Sequence, residues 1–139
     1  MNTKLYKSVL ALTDDLMAAA QAQNQQRFDD HYAQLKLLCE SNEGSDKDHP
    51  VQWETLADFT DDLALAVTLY EHALVKAHAI NSKDFCSSIG YSIGALKVEL
   101  GDKEGAIAAL EQAKIACNKI IDKQLKAEIH DLLTTLVNE

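Results

Sequence analysis

Apolar residues recur along this chain at steps of three and four, the spacing of one face of an α-helix. Leu5, Val9, Leu12 and Leu16 form the first stripe and predict a helix over 3–23, which Asn24 and the Gln pair behind it break. Phe28, Tyr32, Leu35 and Leu38 predict a second helix. The polar, Gly-containing run 41–48 then reads as a loop, and His49-Pro50 as a helix start, because proline is tolerated in a first turn. Trp53, Leu56 and Ala57 predict a short third helix to about residue 60, and Leu63, Ala66, Val67, Tyr70, Ala73, Leu74, Ala77 and Ile80 a longer fourth. Phe85, Ile89, Ile93, Leu96 and Leu100 run to Gly101, which suits a left-handed helix end, and Asp102 restarts the chain as an N-cap. Ala106, Leu110, Ala113, Cys117 and Ile120 form a sixth stripe, and Leu125, Ile129, Leu132, Leu133 and Leu136 a seventh. The break between them near Asp122 has neither Gly nor Pro.

Composition narrows the class further. Of 139 residues, 19 are Ala and 19 Leu against 14 Val and Ile together, so the apolar content is that of helix formers. With one Pro and five Gly there is little turn chemistry for a β meander. The expectation is an all-α fold in one domain over 1–139. No unbroken apolar run approaches the roughly eighteen residues of a membrane span, and residues 1–6 lead straight into an amphipathic pattern, so a cytoplasmic protein is expected. Cys39, Cys86 and Cys117 lie far apart and form no CxxC pair, which reads as reduced core thiols rather than a disulfide framework or zinc site.

The net charge of −9 is concentrated. Residues 42–84 hold 9 acids and 3 bases, hence −6 of the total, and Glu43, Asp46, Asp48, Glu54, Asp58, Asp61 and Asp62 share the stretch 42–62 with Lys47 alone. Such a field repels a phosphate backbone and excludes nucleic acid as a natural partner, while it favours a cationic protein surface. The plain alternative is a solvated face that keeps the protein in solution.

Leu100-Gly-Asp-Lys-Glu-Gly-Ala106 followed by Leu110 and Ala113 closely resembles the turn and second helix of a tetratricopeptide repeat (TPR), and Gly94, seven residues before Gly101, stands where that repeat wants a small residue for a close helix crossing. Asp61-Asp62 followed by Ala66, Tyr70 and Ala73 repeats the spacing forty residues earlier. Gln26-Arg-Phe28 followed by His31, Leu35 and Leu38 repeats it thirty-five before that, so the resemblance covers about residues 12–120. The long period and Asp48-His49-Pro50 are similar to the repeats of kinesin light chains. The resemblance implies a right-handed superhelical stack of about three helix hairpins, with residues 123–138 as a capping helix: about seven helices in all.

Chemistry finds little support. Gly90-Tyr-Ser92-Ile-Gly94 satisfies the G-x-S-x-G of a nucleophile elbow, but that elbow needs a strand before it and a parallel sheet around it, and the pentapeptide falls inside a helical stripe. No HExxH, no His-x-x-x-His and no Gly-rich phosphate loop occurs, so neither metal nor cofactor is expected. By the family pattern the first helices line a concave groove, which implies Leu16 and Ala20, then Val51, Thr55 and Asp58, then Tyr91, Ala95 and Val98 as lining, with Tyr91 and Trp53 as aromatic anchors. The Lys, Arg and Asn with which some family members clamp a carboxylate-terminated chaperone tail are missing. The expected function is a non-catalytic adaptor or chaperone-like module that holds a basic or apolar peptide or partner helix, with no nucleic acid or membrane. The alternative is an acidic inhibitor, such as an immunity protein, that occludes a basic site on a toxin or enzyme; an all-α enzyme stands third.

Overall fold

Each helix begins at a residue whose side chain satisfies a free backbone N–H of the first turn. Asn2, Asn24, Asp62, Ser82, Asp102 and Asp122 each accept from the N–H three positions on, and His49 Nδ1 accepts from Val51 N–H just ahead of the N1 proline. In the computed structural model, which describes residues 2–139, these caps open α1 (Thr3–Gln21), α2 (Gln25–Ser41), α3 (Pro50–Asp58), α4 (Leu63–Ala79), α5 (Lys83–Glu99), α6 (Lys103–Cys117) and α7 (Lys123–Val137), with no strand among the described residues. The break near residue 122 thus needs neither Gly nor Pro, because Asp122 caps the next helix.

One tight connection is used three times. A residue in the left-handed region ends the helix, the following N–H reaches back five residues to a helix carbonyl, and that same residue caps the next helix. Gln23 (φ 55°) with Asn24, Asn81 (φ 53°) with Ser82, and Gly101 (φ 80°) with Asp102 all do this. It corrects the expected bounds: α1 stops at Gln21 rather than 23, and α5 starts at Lys83, two residues before its first apolar position. Elsewhere α3 closes at Asp58, short of residue 60, and α6 ends at Cys117, which leaves Ile120 buried in the connection to α7.

The helices pair in sequence as antiparallel hairpins, α1 with α2, α3 with α4 and α5 with α6. The hairpins stack through α2–α3 and α4–α5, and α7 closes the far end against α6 and α5. The first helices α1, α3 and α5 also touch in order, which gives the stack one continuous face made of first helices. Leu16, Leu35, Leu56, Ala73 and Ile89 sit in the main core across α1 to α5. Two smaller clusters, around Leu110 and Leu133 and around Cys117 and Ile129, bury the inner side of the cap. Asp131 and Thr135 face water as expected of a capping helix, while Glu128 is half-buried.

Gly90 and Gly94 lie in mid-helix on α5 and set the α5–α6 distance. A Cβ at Gly94 would stand 2.6 Å from Leu110 Cγ, and one at Gly90 2.9 Å from Ala113 Cβ. The G-x-S-x-G string is therefore a packing seam, with no strand before it.

Candidate functional site

The face built from first helices carries its polar chemistry on α3 and α5. Glu54 and Asp58 are four apart on α3, so both project from one side, and Ser88 and Ser92 do the same on α5. Ser88 Oγ donates to Glu54 Oε2 at 2.9 Å, and Tyr70 of α4 donates its phenolic O–H to Asp58 Oδ1 in a short hydrogen bond, with Ser92 beside the phenol. Burial pushes the Glu54 carboxyl up to about 7; the Ser88 hydrogen bond opposes that shift and the neighbouring Asp58 adds to it. Asp58 as a residue is exposed, yet the protein packed around its carboxyl raises it too, with Tyr70 pulling the other way. Partial dehydration thus holds both carboxyls above their ordinary range.

Around this pair the expected lining residues divide. Val51 and Ala95 are half-buried and Val98 is 38% exposed, while Ala20 is open at the α1 end. Thr55 is only 9% exposed and turns its hydroxyl onto its own helix at Val51 O, 2.6 Å away. Leu16 is fully buried and belongs to the core, not to the lining. Trp53, expected as an anchor, is 6% exposed: its ring packs 4.2 Å from that of His72 on α4, and its indole N–H donates to Asp48 Oδ1 at 2.9 Å. Tyr91 is half-buried and leans on the two clusters that α6 and α7 enclose. Sequence reasoning missed Glu54, Ser88 and Ser92 as site residues and read Tyr70 as core alone. The available signal was the i, i+4 repetition of polar residues on both first helices.

The acidic stretch is also less acidic outward than its composition suggests. Lys76 of α4 bridges Glu43 Oε2 (3.1 Å) and Asp48 Oδ2 (2.9 Å), and His72 Nε2 meets Glu43 Oε1 at 2.9 Å. The His72 bond, aided by Lys76, holds Glu43 below the usual carboxylate range. Burial would raise Asp48, but Gly44 N–H, Lys76 and the Trp53 indole together keep it low. Of the seven acids over 42–62 five are exposed: Glu43, which is paired with His72 and Lys76, Asp58, which accepts from Tyr70, and Asp46, Asp61 and Asp62. Among the described residues no group of three or more His, Cys, Asp or Glu is placed to hold a metal, and no helix is long and apolar enough to cross a membrane.

Three stacked helix hairpins with a capping helix, crossing closely at small residues, define a TPR-like helical repeat. Among solved structures the chain is similar to the crystal structure of PcrH from Pseudomonas aeruginosa, with a TM-score of 0.68 over 94% of this chain and 92% of that one; at 17% sequence identity the likeness is one of fold. No family model matches the sequence, and no curated protein does.

Proposed function

We propose that this chain is a non-catalytic protein-binding module, adaptor or chaperone-like, that holds a partner's segment along the face of α1, α3 and α5. The observation that carries the reading is the pair Glu54 and Asp58, partly dehydrated on a face whose helices α3 and α5 also carry the half-buried Val51 and Ala95 and the exposed Val98. A basic side chain set between apolar neighbours on a peptide or partner helix complements it: the cation takes the carboxylates and the apolar residues cover the rim. Tyr70, Ser88 and Ser92 hold the two acids in place before the partner arrives, which lowers the cost of ordering them on binding.

Fluorescence anisotropy with amphipathic peptides of basic, neutral and acidic character tests this. Basic amphipathic peptides bind best, their affinity falls with salt, and Asp58→Lys weakens them at least tenfold, about 1.4 kcal/mol, at low salt. Equal affinities of wild type and variant at low salt overturn the reading. The inhibitor reading rests on the exposed carboxylates Asp46, Asp61 and Asp62, and it differs in needing a folded basic partner and a steep salt dependence of the association rate.

A further inference from the structure

On the side of the stack away from that face, α4 and α6 part over α5 and leave a cleft of about 290 Å³. Its floor is α5, through Cys86, Gly90, Ile93 and Lys97, and its walls are Leu74 and His78 of α4 and a row of alanines on α6. The hollow exists because the residues that close the α5–α6 crossing are small: Gly90 has no side chain, and Ala109, Ala113 and Ala116 have one carbon each. The lining is predominantly apolar, and the volume is at the small end of what ligand pockets offer. It holds a nucleophile with a base beside it, since Cys86 Sγ lies 3.6 Å from His78 Nδ1 and both residues line the cleft, Cys86 with 5% of its surface exposed.

The other two thiols are held differently. Cys39 is fully buried, donates to Gln52 O at 3.3 Å, and has its thiol pushed up to about 12, chiefly by burial. Cys117 donates to Lys114 O at 3.2 Å inside the cluster that packs against α7. Each thus gives its proton to a backbone carbonyl, and neither lines the cleft of Cys86. Burial raises the Cys86 thiol as well, so little thiolate stands free there, and reaction needs a base in contact.

We propose that this cleft is a thiol-modification site, in which Cys86 adds to small, soft, largely apolar electrophiles of the α,β-unsaturated carbonyl class with His78 as the base. With the ring proton on Nε2, His78 Nδ1 takes the thiol proton. The sulfur lone pair forms the S–C bond at the β-carbon, the alkene π pair moves to the enolate, and the imidazolium or water returns a proton to the α-carbon. Atoms and charge balance, and no oxidant is involved. Leu74, Ile93 and the α6 alanines receive the apolar body of the reagent.

N-ethylmaleimide, limiting and timed, followed by digestion and mass spectrometry of the native protein, tests the proposal. Cys86 is expected to label at least tenfold faster than Cys39 or Cys117. His78→Gln, which removes the base, and Leu74→Trp, which fills the cleft, each slow Cys86 at least fivefold while circular dichroism stays that of the wild type. Labelling of all three thiols together at the rate of global unfolding overturns the site, and an unchanged Cys86 rate in a folded His78→Gln overturns the base. If either variant fails to fold, the ratio of the three rates in the wild type still decides the site.

Discussion

Glu54 makes a stability measurement into a test of the site. Folding moves its carboxyl from the ordinary value of 4.5 to about 7, because the α3–α5 face strips water from it more than Ser88 compensates. Between those two pH values the folded protein holds a proton that the unfolded chain has released, so stability falls as pH rises through that window and levels off above it. At about 1.4 kcal/mol per pKa unit the full displacement is worth about 3 kcal/mol, and partial exposure of the side chain reduces this to about 1–3 kcal/mol. Glu54→Gln keeps the shape and the Ser88 hydrogen bond but has no charge to bury. Urea denaturation of both proteins from about pH 4 to about pH 8 reads the effect. The variant is expected to match the wild type at the acid end and to exceed it by that amount at the alkaline end. Groups remote from Glu54 cancel in the difference between the two proteins, whereas Asp58, whose raised carboxyl acts in the same direction, is coupled to Glu54 and adds to the effect. A difference that does not change with pH, or a variant less stable at the alkaline end, refutes the assignment of a dehydrated carboxyl to this face.

Gly94→Leu is expected to cost at least about 1–3 kcal/mol by overpacking, since even a Cβ there stands 2.6 Å from Leu110 Cγ in the core; an unchanged urea midpoint would mean that α5 and α6 do not cross at this residue. Asp48→Ala leaves the Trp53 N–H without its acceptor and frees Lys76 and Gly44, at an expected cost of about 1–3 kcal/mol; a loss well under 1 kcal/mol on denaturation shows that this carboxylate does not pin the α2–α3 loop. Gln23→Gly relieves a left-handed residue costing about 1–2 kcal/mol at a connection where Gly101 does the same work, and after the entropic cost of glycine it should stabilise by about 0.5 kcal/mol; a lower thermal midpoint refutes this.

What the chain by itself determined is its helical architecture. Seven apolar stripes at helical spacing, Asp102 and Gly101 at one turn, Pro50 at another and Gly94 seven residues before Gly101 are local signals, each acting within a turn or two of the backbone, and local signals survive being read one residue at a time. The connections at Gln23 and Asn81 were harder to place, because a left-handed residue other than glycine carries no mark of its own. What only the tertiary structure decided is where charge and aromatic rings end up. Lys47 is the base of the acidic stretch in sequence, but Lys76 and His72 from α4 are its bases in space. That pairing turns Asp48 inward, gives the Trp53 indole its acceptor and so draws into the core a ring that spacing alone allows on either side of a nine-residue helix. Glu54 and Asp58 were visible as two more acids. Their shared face, and the dehydration that sets them apart from Asp61 and Asp62, come from α4 and α5 packing over α3, and desolvation depends on what surrounds a group in three dimensions, which no local pattern records.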